Sequence, residues 1–354
     1  MDTKQATDAL QTEGFNIHSI APCSTGVSHY NFEVLLSRDS SEIQRYVARF
    51  EVESGRRIDL IYGGDMSLNR EIELCNLFRE RAKLPAPRTT GPYTKTKPFN
   101  LAEFMPGKLW GEYLQEHNFS RQSYLNSLEL LGEDVGKAHS VTFDSFGDVM
   151  GRSVDNPSPN FRHRLEQVIK RNLENNGVKF SSSERMFAEL YFDSMLERIE
   201  ESTQEETPRL VFADLHTNNL MVDATGKPSG YFDLEFCQTG VPALEMYNVS
   251  LQFFPLFNKE MFSEAQNAFL KGYRTSGLDY EPEDPKNKQV ELTLAANHFF
   301  RAAASYLKFT EGPRVGWAAK FKEIFFDIAQ NGNIDYVGFA KTVRPQFPNQ
   351  PSLP

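Results

Sequence analysis

The feature that most constrains the fold is a change of hydrophobic pattern part-way along the chain. Residues 15–50 alternate apolar and polar side chains in short segments separated by small-residue turns, which is typical of strands. Two further short strands are expected around Tyr93 and over residues 99–104, and Pro106-Gly107 then breaks the chain. Beyond that point the pattern is helical. Strands followed by helices predict an α+β fold of two unequal lobes, a β-rich one over residues 1–104 and a larger, mainly helical one over residues 105–354.

Amphipathic segments mark the expected helices. Apolar residues recur at helical spacing over residues 66–82, and again over residues 124–139, 160–175 and 183–199. A β-rich segment, residues 210–236, interrupts the helical half, and helices resume from residue 243 to about residue 332. This β-rich segment is the most informative part of the chain.

Composition and charge exclude several classes of protein. The 354 residues include 38 Lys and Arg against 48 Asp and Glu, and the net charge of −10 argues against a nucleic-acid partner, because phosphate binding requires clustered basic residues. Cys23, Cys75 and Cys237 lack metal-ligand spacing and predict reduced thiols. The N-terminus lacks a signal-peptide pattern. The sequence contains no apolar run of about 18 residues, the length that a membrane span needs. We therefore expect a cytoplasmic protein without nucleic-acid or membrane partners.

The β-rich segment is predicted to bring three oxygen-bearing side chains together. Asp214 is followed five residues later by Asn219, which opens a short apolar strand. A turn containing Gly226 reverses the chain and the return strand ends at Asp233, so a hairpin would place Asp233 beside Asn219. A carboxylate that can approach a hydroxyl, together with an amide and a second carboxylate as hard oxygen ligands, suits Mg²⁺ and a bound nucleotide. The pattern indicates phosphoryl transfer, in which alignment and charge neutralisation supply most of the catalysis.

On these motifs the sequence resembles the aminoglycoside phosphotransferase and choline kinase-like family, small-molecule kinases with the protein-kinase fold. The family pattern is His-Gly-Asp-Leu-His-x-x-Asn, then an apolar strand, a turn and Asp-x-Glu, and residues 214–219 and 233–235 match its last parts. The resemblance implies a two-lobed protein-kinase-like fold and an enzyme that uses ATP and Mg²⁺. It also implies that Asp214 is the catalytic base and that Asn219 and Asp233 hold the metal.

Other segments resemble the parts of the family that bind the nucleotide. The small-residue turn with Ser24 and Gly26 resembles the nucleotide loop, and Arg49 stands on the strand where many relatives have Lys. An Arg there can contact the α- and β-phosphates with a fork of donors. Glu71 lies in a segment that resembles the regulatory helix, where it would fix the position of the Arg49 cation.

The segment of residues 101–107 resembles the hinge of the family. This implies that backbone groups near Glu103 and Met105 contact the adenine. Residues 136–140 resemble the helix that ends in Leu-His-Ser, and all these motifs occur in the family order. The match is therefore specific, although any one motif alone would be weak.

Two positions depart from the family pattern. Phe212-Ala213 replaces the His-Gly pair before the catalytic Asp, and Phe can fill the space but cannot donate a hydrogen bond. The 212–219 loop is therefore expected to be held differently. Glu245 stands where relatives commonly have Asp, and we expect the structural role of this carboxylate to persist.

The leading interpretation is an ATP-dependent phosphotransferase that moves the γ-phosphoryl group to a hydroxyl of a small molecule, aminoglycoside-like, choline-like or another metabolite. The acidic net charge favours a cationic acceptor, because a carboxylate-lined cleft attracts amines. The alternative is a nucleotide-binding pseudokinase that acts as an interaction module, which only the Phe212-Ala213 pair supports. A protein kinase is disfavoured, because residues 240–243 run straight into a predicted helix without an activation segment. The choice of ATP or GTP and the oligomeric state stay open.

Overall fold

The computed structural model describes residues 1–23, 29–38, 42–51, 67–151, 157–203, 205–254, 259–307, 310 and 315–343. In these ranges strands dominate the first hundred residues and helices dominate the remainder, so the predicted α+β arrangement is confirmed. Two hydrophobic cores follow this division, a smaller one against the N-terminal sheet and a larger one among the helices. The lobe boundary after residue 104 stays a prediction.

An antiparallel five-stranded sheet forms the N-terminal part. Its strands are β1 (Asn16–Pro22), β2 (His29–Ser37), β3 (Gln44–Glu51), β4 (Thr89–Tyr93) and β5 (Phe99–Glu103). Their order in space is β1-β2-β3-β5-β4, so β3 lies at the centre of the sheet. Alternate side chains of β2, those of Phe32, Val34 and Leu36, are buried, as the period-two pattern predicts.

A helix that the hydrophobic pattern does not predict, α1 (Thr3–Thr12), packs against this sheet. The carboxylate of Asp2 accepts a hydrogen bond from the backbone N–H of Gln5 at 2.8 Å, and the Gln5 side chain accepts one from the Asp2 backbone at 3.1 Å. This reciprocal pair is a capping box, which satisfies two backbone N–H groups at the start of the helix.

Helix α2 (Leu68–Leu77) carries Glu71 into the interior. It begins at Ser67, whose side chain caps the first turn, and it continues into a π-helical turn at Phe78–Ala82. These bounds agree with the helix predicted over residues 66–82. Leu74 packs in the larger core rather than in the core of the sheet, so α2 connects the two parts of the protein.

Helices make up most of the remaining chain. They are α3 (Trp110–Glu116), α4 (Arg121–His139), α5 (Phe161–Asn176), α6 (Ser182–Thr203), α7 (Pro242–Gln252), α8 (Lys259–Arg274), α9 (Pro285–Tyr306), α10 (Trp317–Asn331) and α11 (Tyr336–Val343). Helices α4, α5 and α6 lie where the periodic segments predict them. Among the residues that the structure describes, every helix is too short or too polar to cross a membrane.

Two small sheets hold the β-rich segment of the helical part. Their strands are β6 (Lys108–Leu109), β7 (Gly147–Asp148), β8 (Arg209–Val211), β9 (Leu220–Val222), β10 (Pro228–Tyr231) and β11 (Gln238–Gly240). One sheet has the order β10-β9-β6 and the other the order β7-β11-β8. Strand β8 leads into the 212–219 loop, and the β9–β10 hairpin returns the chain to Asp233, as the sequence predicts.

Candidate active site

Arg49 lies at the centre of the site, where it joins two distant parts of the chain. Its backbone is fixed on both sides, because β3 pairs there with Asn31 of β2 and Asn100 of β5. The guanidinium donates through Nη1 to Glu71 of α2 and through Nη2 to Oδ1 of Asp233 at 3.1 Å. One planar, forked cation thus holds a carboxylate from the helix beside the sheet and a carboxylate from the β-rich segment.

His29 and Glu235 complete the group of polar side chains around Arg49. Oε2 of Glu235 lies 3.8 Å from Nη2 of Arg49 and 3.6 Å from Nδ1 of His29. Nδ1 of His29 in turn lies 3.3 Å from Nη2 of Arg49. Three carboxylates, those of Glu71, Asp233 and Glu235, therefore face one guanidinium. The surplus of negative charge favours a further cation at this place.

Burial and ion pairing act in opposite directions on the pKa values of this group. Burial by itself lowers the pKa of Arg49, but attraction to Glu71, Asp233 and Glu235 outweighs it and raises the pKa. Burial raises the pKa of Glu71, and the adjacent Arg49 offsets this only in part. The Glu71 carboxylate thus depends on Arg49, because a buried charge without a counter-ion is strongly unfavourable.

The 212–219 loop holds Asp214 and Asn219 at a fixed distance from each other. Asn219 is buried, and its Nδ2 donates to the backbone carbonyl of Asp214 at 3.2 Å. This bond uses the amide donor inside the loop, so the amide oxygen is the atom of Asn219 that can bind a ligand. The side chain of Asp214 is 44% exposed, with Nε2 of His216 at 3.9 Å from Oδ2. The carboxylate of Asp214 is therefore accessible to a reactant.

The β9–β10 hairpin returns Asp233 to the same place. The backbone N–H of Phe232 donates to the carbonyl of Asn219 at 3.3 Å. Asp233 adopts a left-handed conformation, with φ 59° and ψ 46°, which Asp tolerates better than most residues. Asp214, Asn219 and Asp233 line one small cavity. The structure thus brings together the three residues that the spacing places together.

Arg70 is a buried arginine that sequence analysis missed as a residue of the site. It donates through Nη2 to Oδ1 of Asp148 at 2.7 Å and to the carbonyl of Cys237 at 2.6 Å. It also donates through Nη1 to the carbonyl of Glu235. Arg70 therefore fixes the segment after Asp233 to α2, beside the connection that Arg49 makes.

Glu245 and Asn248 of α7 hold the start of the 212–219 loop. Oε2 of Glu245 accepts from the backbone N–H of Phe212 at 2.6 Å and from that of Ala213 at 3.3 Å. Nδ2 of Asn248 donates to the carbonyl of Ala213 at 2.6 Å. The ring of Phe212 packs against that of Phe78, with centroids 4.8 Å apart. The loop is thus held through its backbone, which explains how it does without the His-Gly pair.

Glu245 is expected to make the stability of the protein depend on pH. Burial raises its pKa from 4.5 to about 7, although the hydrogen bonds from Phe212 and Ala213 favour the carboxylate. Because the folded-state pKa lies above the unfolded value, this residue contributes stability below about pH 4.5, and the contribution is lost as the pH rises through 7. Glu245→Gln stays neutral at every pH.

The free energy of unfolding of the parent should therefore fall by about 2–3 kcal/mol relative to that of Glu245→Gln when the pH is raised from 5 to 8. Urea denaturation of both proteins at the two pH values measures the difference. An equal pH dependence in parent and variant would contradict the assignment.

Of the residues predicted for the site, five come together: Arg49, Glu71, Asp214, Asn219 and Asp233. Glu103 ends β5 and Met105 follows in the connection to β6. The Met105 side chain lies so close to Gly230 that a Cβ there would come within 2.8 Å of it. Ser24 and Gly26 lie outside the described residues. The chemical roles of all these residues stay predictions.

Comparison with known proteins assigns the chain to a family. The model of the phosphotransferase enzyme family matches residues 19–285. The chain belongs to this family, which confirms the family and the enzyme class that the motifs predict. Among the curated proteins, the comparison found no match.

Solved structures share the fold over nearly the whole chain at low identity. A macrolide 2′-phosphotransferase type I is 12% identical, with 96% of each chain covered and a TM-score of 0.56. The GDP complex of aminoglycoside 2′-phosphotransferase-IIIa is 16% identical, with 94% of this chain and 100% of that chain covered and a TM-score of 0.60. An ethanolamine kinase from Plasmodium vivax is 14% identical, with 91% and 85% covered and a TM-score of 0.55. These similarities confirm the predicted kinase-like fold.

Proposed function

We propose that this phosphotransferase moves the γ-phosphoryl group of ATP to a hydroxyl group of a small molecule. The observation that supports it most is the buried guanidinium of Arg49, shared between Glu71 and Asp233, next to the cavity that Asp214 lines. Phosphoryl transfer needs a cation for the phosphates, oxygen ligands for a metal ion and a carboxylate that faces the hydroxyl. These residues supply all three.

Asn219 and Asp233 fit a Mg²⁺ ion. Oδ1 of Asp233 accepts from Arg49, which leaves Oδ2 on a side chain that is 37% exposed. Mg²⁺ is usually bound by one or two protein oxygens, with water and phosphate oxygens completing its shell. In the described part of the chain, no group of three His, Cys, Asp or Glu side chains could hold a metal ion. Protein side chains alone therefore do not supply all the ligands of the ion there. The ion would neutralise charge on the phosphates during transfer.

The remaining nucleotide contacts follow from the hinge and the N-terminal strands. Arg49 would contact the α- and β-phosphates while it keeps its bond to Glu71. The backbone N–H of Glu103 donates to the carbonyl of Arg88 at 2.8 Å, so we assign the adenine contacts to the Glu103 carbonyl and to Met105. The turn with Ser24 and Gly26 is proposed to cover the phosphates.

Asp214 is proposed to accept the proton of the acceptor hydroxyl as the hydroxyl oxygen attacks the γ-phosphorus and the bond from the γ-phosphorus to the bridging oxygen breaks, so that ADP leaves. The bond from Asn219 to the backbone of Asp214 would hold the carboxylate at a constant distance from the metal. The similar solved structures are named for a macrolide, an aminoglycoside and ethanolamine, which differ so much in size that they do not select an acceptor. We therefore propose only the class, a small molecule with a free hydroxyl.

A nucleotide-binding pseudokinase is less well supported. Its basis is the Phe212-Ala213 pair, but Glu245 and Asn248 hold the loop at this place, so it is not left without support. Asp214 also keeps an accessible carboxylate.

Thermal unfolding of the full chain tests the nucleotide and metal roles. With Mg²⁺ and ATP at about 100 times Kd, the Tm of the parent should rise by roughly 5 °C, because a ligand that binds only the folded state stabilises it. Asp233→Asn keeps an acceptor for Arg49 but removes the charge, so most of the Mg²⁺-dependent part of the shift should be lost. Asp193→Asn, at an exposed position of α6, is the matched control. An unchanged shift in Asp233→Asn would remove Asp233 from the metal site.

The acceptor is sought by measuring nucleotide consumption with hydroxylated amines, antibiotics and sugars, each with ATP and with GTP. GTP is included because one similar structure holds GDP. Consumption that requires an added acceptor supports the proposal. Nucleotide binding without turnover of any acceptor would favour the pseudokinase.

A further inference from the structure

Arg70 is one of the largest completely buried side chains of the protein, and it lies beside the candidate metal site. Only 1% of the residue is exposed, and its Nε and Nη2 donate to Oδ1 of Asp148 at 3.0 and 2.7 Å. A buried ion pair adds little stability compared with apolar side chains of the same size, because both charges must leave water. The geometry that Arg70 imposes is therefore a better guide to its role than its charge.

The other hydrogen bonds of Arg70 hold the turn that follows Asp233. Nη1 donates to the carbonyl of Glu235, and Nη2 donates to the carbonyl of Cys237 at 2.6 Å. These carbonyls belong to the single 3₁₀ turn Leu234–Phe236 and to the residue after it, and the turn begins directly after Asp233. The backbone on the C-terminal side of Asp233 is therefore fixed relative to α2.

Asp148 connects this arrangement to the helical part of the protein. Its side chain is completely buried, and its strand β7 pairs with Gln238 of β11. The next residue of β11, Thr239, donates through Oγ1 to the carbonyl of Gly147 at 3.2 Å. Arg70 thus joins α2, β7 and the turn after Asp233 through one guanidinium.

The backbone of Asp233 has a conformation that needs support from its neighbours. Its φ of 59° is left-handed, which is unfavourable for residues other than glycine and persists only where surrounding contacts fix it. On the N-terminal side, the N–H of Phe232 donates to the carbonyl of Asn219 at 3.3 Å. On the C-terminal side, the bonds from Arg70 supply the support. The place of the Asp233 carboxylate depends on both.

Two consecutive residues of α2 act on Asp233 by different routes. Glu71 binds Arg49, which donates to Oδ1 of Asp233 at 3.1 Å, so this route ends at the side chain. The route from Arg70 ends at the backbone. Residues that hold a metal ligand in place without binding the metal matter strongly, since their loss typically costs about 10–100-fold in metal affinity or activity.

We propose that Arg70 is a positioning residue for Mg²⁺: paired with Asp148, it holds the backbone of residues 235–237 so that the Asp233 carboxylate can bind the ion together with the nucleotide. The inference rests on the proposed function, in which Asp233 is a metal ligand. Arg70 contacts neither the metal nor the nucleotide in this arrangement. Its loss should therefore weaken the binding of nucleotide with Mg²⁺ and leave the binding of nucleotide without metal unchanged.

Calorimetric titration of the full chain with the β,γ-imido analogue of ATP, once with excess Mg²⁺ and once with EDTA, tests this without turnover. Arg70→Lys keeps a cation beside Asp148 but lacks the planar fork that also reaches both carbonyls. In this variant the Kd measured with Mg²⁺ should rise by about 10-fold, while the Kd measured with EDTA stays within about twofold of the parent.

Arg79→Lys is the control on the same helical segment. Arg79 lies in the π-helical turn after α2 and donates to the carbonyl of Pro87 at 3.0 Å, in a different connection. Both of its Kd values should equal those of the parent. If urea denaturation shows that Arg70→Lys does not fold, the double variant Arg70→Met with Asp148→Asn takes its place, because it buries no uncompensated charge.

The Asp233→Asn variant shows whether Arg70 acts through Asp233. When Arg70→Lys is added to it, the Kd measured with Mg²⁺ should rise no further, because the ligand that Arg70 positions is already impaired. A further rise of full size would overturn the inference, and so would an equal rise of Kd with Mg²⁺ and with EDTA in Arg70→Lys alone.

The parent separates this inference from the proposed function. If Mg²⁺ does not improve nucleotide binding by the parent, the proposed function fails and the role of Arg70 fails with it. If Mg²⁺ improves binding by the parent and by Arg70→Lys to the same extent, only the role of Arg70 is wrong.

Discussion

Asp214→Asn is expected to lower kcat for the acceptor by about 10²–10⁴ while the affinity for the nucleotide stays within a few-fold of the parent. Asn is nearly isosteric with Asp but cannot accept the proton of a hydroxyl. The bond between Asn219 and Asp214 runs through the backbone carbonyl of Asp214, so the substitution keeps it. The loss should therefore appear in the chemical step and not in the binding of metal or nucleotide.

Steady-state kinetics with the acceptor and calorimetric titration with Mg-ATP measure the two effects separately. Asp193→Asn removes the same charge from an exposed position of α6, and it should change neither kcat nor the affinity for Mg-ATP. If Asp214→Asn keeps the parental kcat, Asp214 is not the base. If instead both kcat and nucleotide affinity fall together, Asp214 acts through the shape of the 212–219 loop.

The elements that the sequence predicts correctly have strong local patterns. Strand β2 alternates buried and half-buried side chains over most of its length, and helices α4, α5 and α6 repeat apolar residues over three turns or more. Helix α1 was missed because only Ala6, Ala9 and Leu10 of it are buried, too few to form a clear stripe. The Asp2 and Gln5 spacing of its capping box was the signal that could have indicated it.

The residues of the candidate site also divide into those that a local pattern predicts and those that it does not. Asp214, Asn219 and Asp233 lie on one hairpin, so their spacing alone predicts that they meet. Arg70 could not be found in this way, because its partners Asp148, Glu235 and Cys237 are 78, 165 and 167 residues away. Such contacts depend on how α2 packs against the helical part, and no local pattern records that packing.

Arg49→Met is expected to lower the free energy of unfolding by about 3–5 kcal/mol, because it leaves Glu71 buried without its counter-ion. The same change should raise the Kd of Mg-ATP by about 10²-fold, since the phosphates lose a charged donor pair. Arg49→Lys should have smaller effects on both, because it keeps the charge but cannot span Glu71 and Asp233 as the fork does. Urea denaturation and calorimetry measure the two quantities.

Adding Glu71→Gln to Arg49→Met separates the structural role of Arg49 from its role in binding. Gln is neutral, so the double variant no longer buries the uncompensated charge of Glu71, and about 2 kcal/mol or more of the lost stability should return. The affinity for Mg-ATP should stay as weak as in Arg49→Met, because the phosphates still lack their cation. If nucleotide affinity recovered together with stability, Arg49 would be a structural connection between α2 and Asp233 and not a phosphate contact. If stability returns and nucleotide affinity does not, the guanidinium of Arg49 both balances the charge of Glu71 and contacts the phosphates.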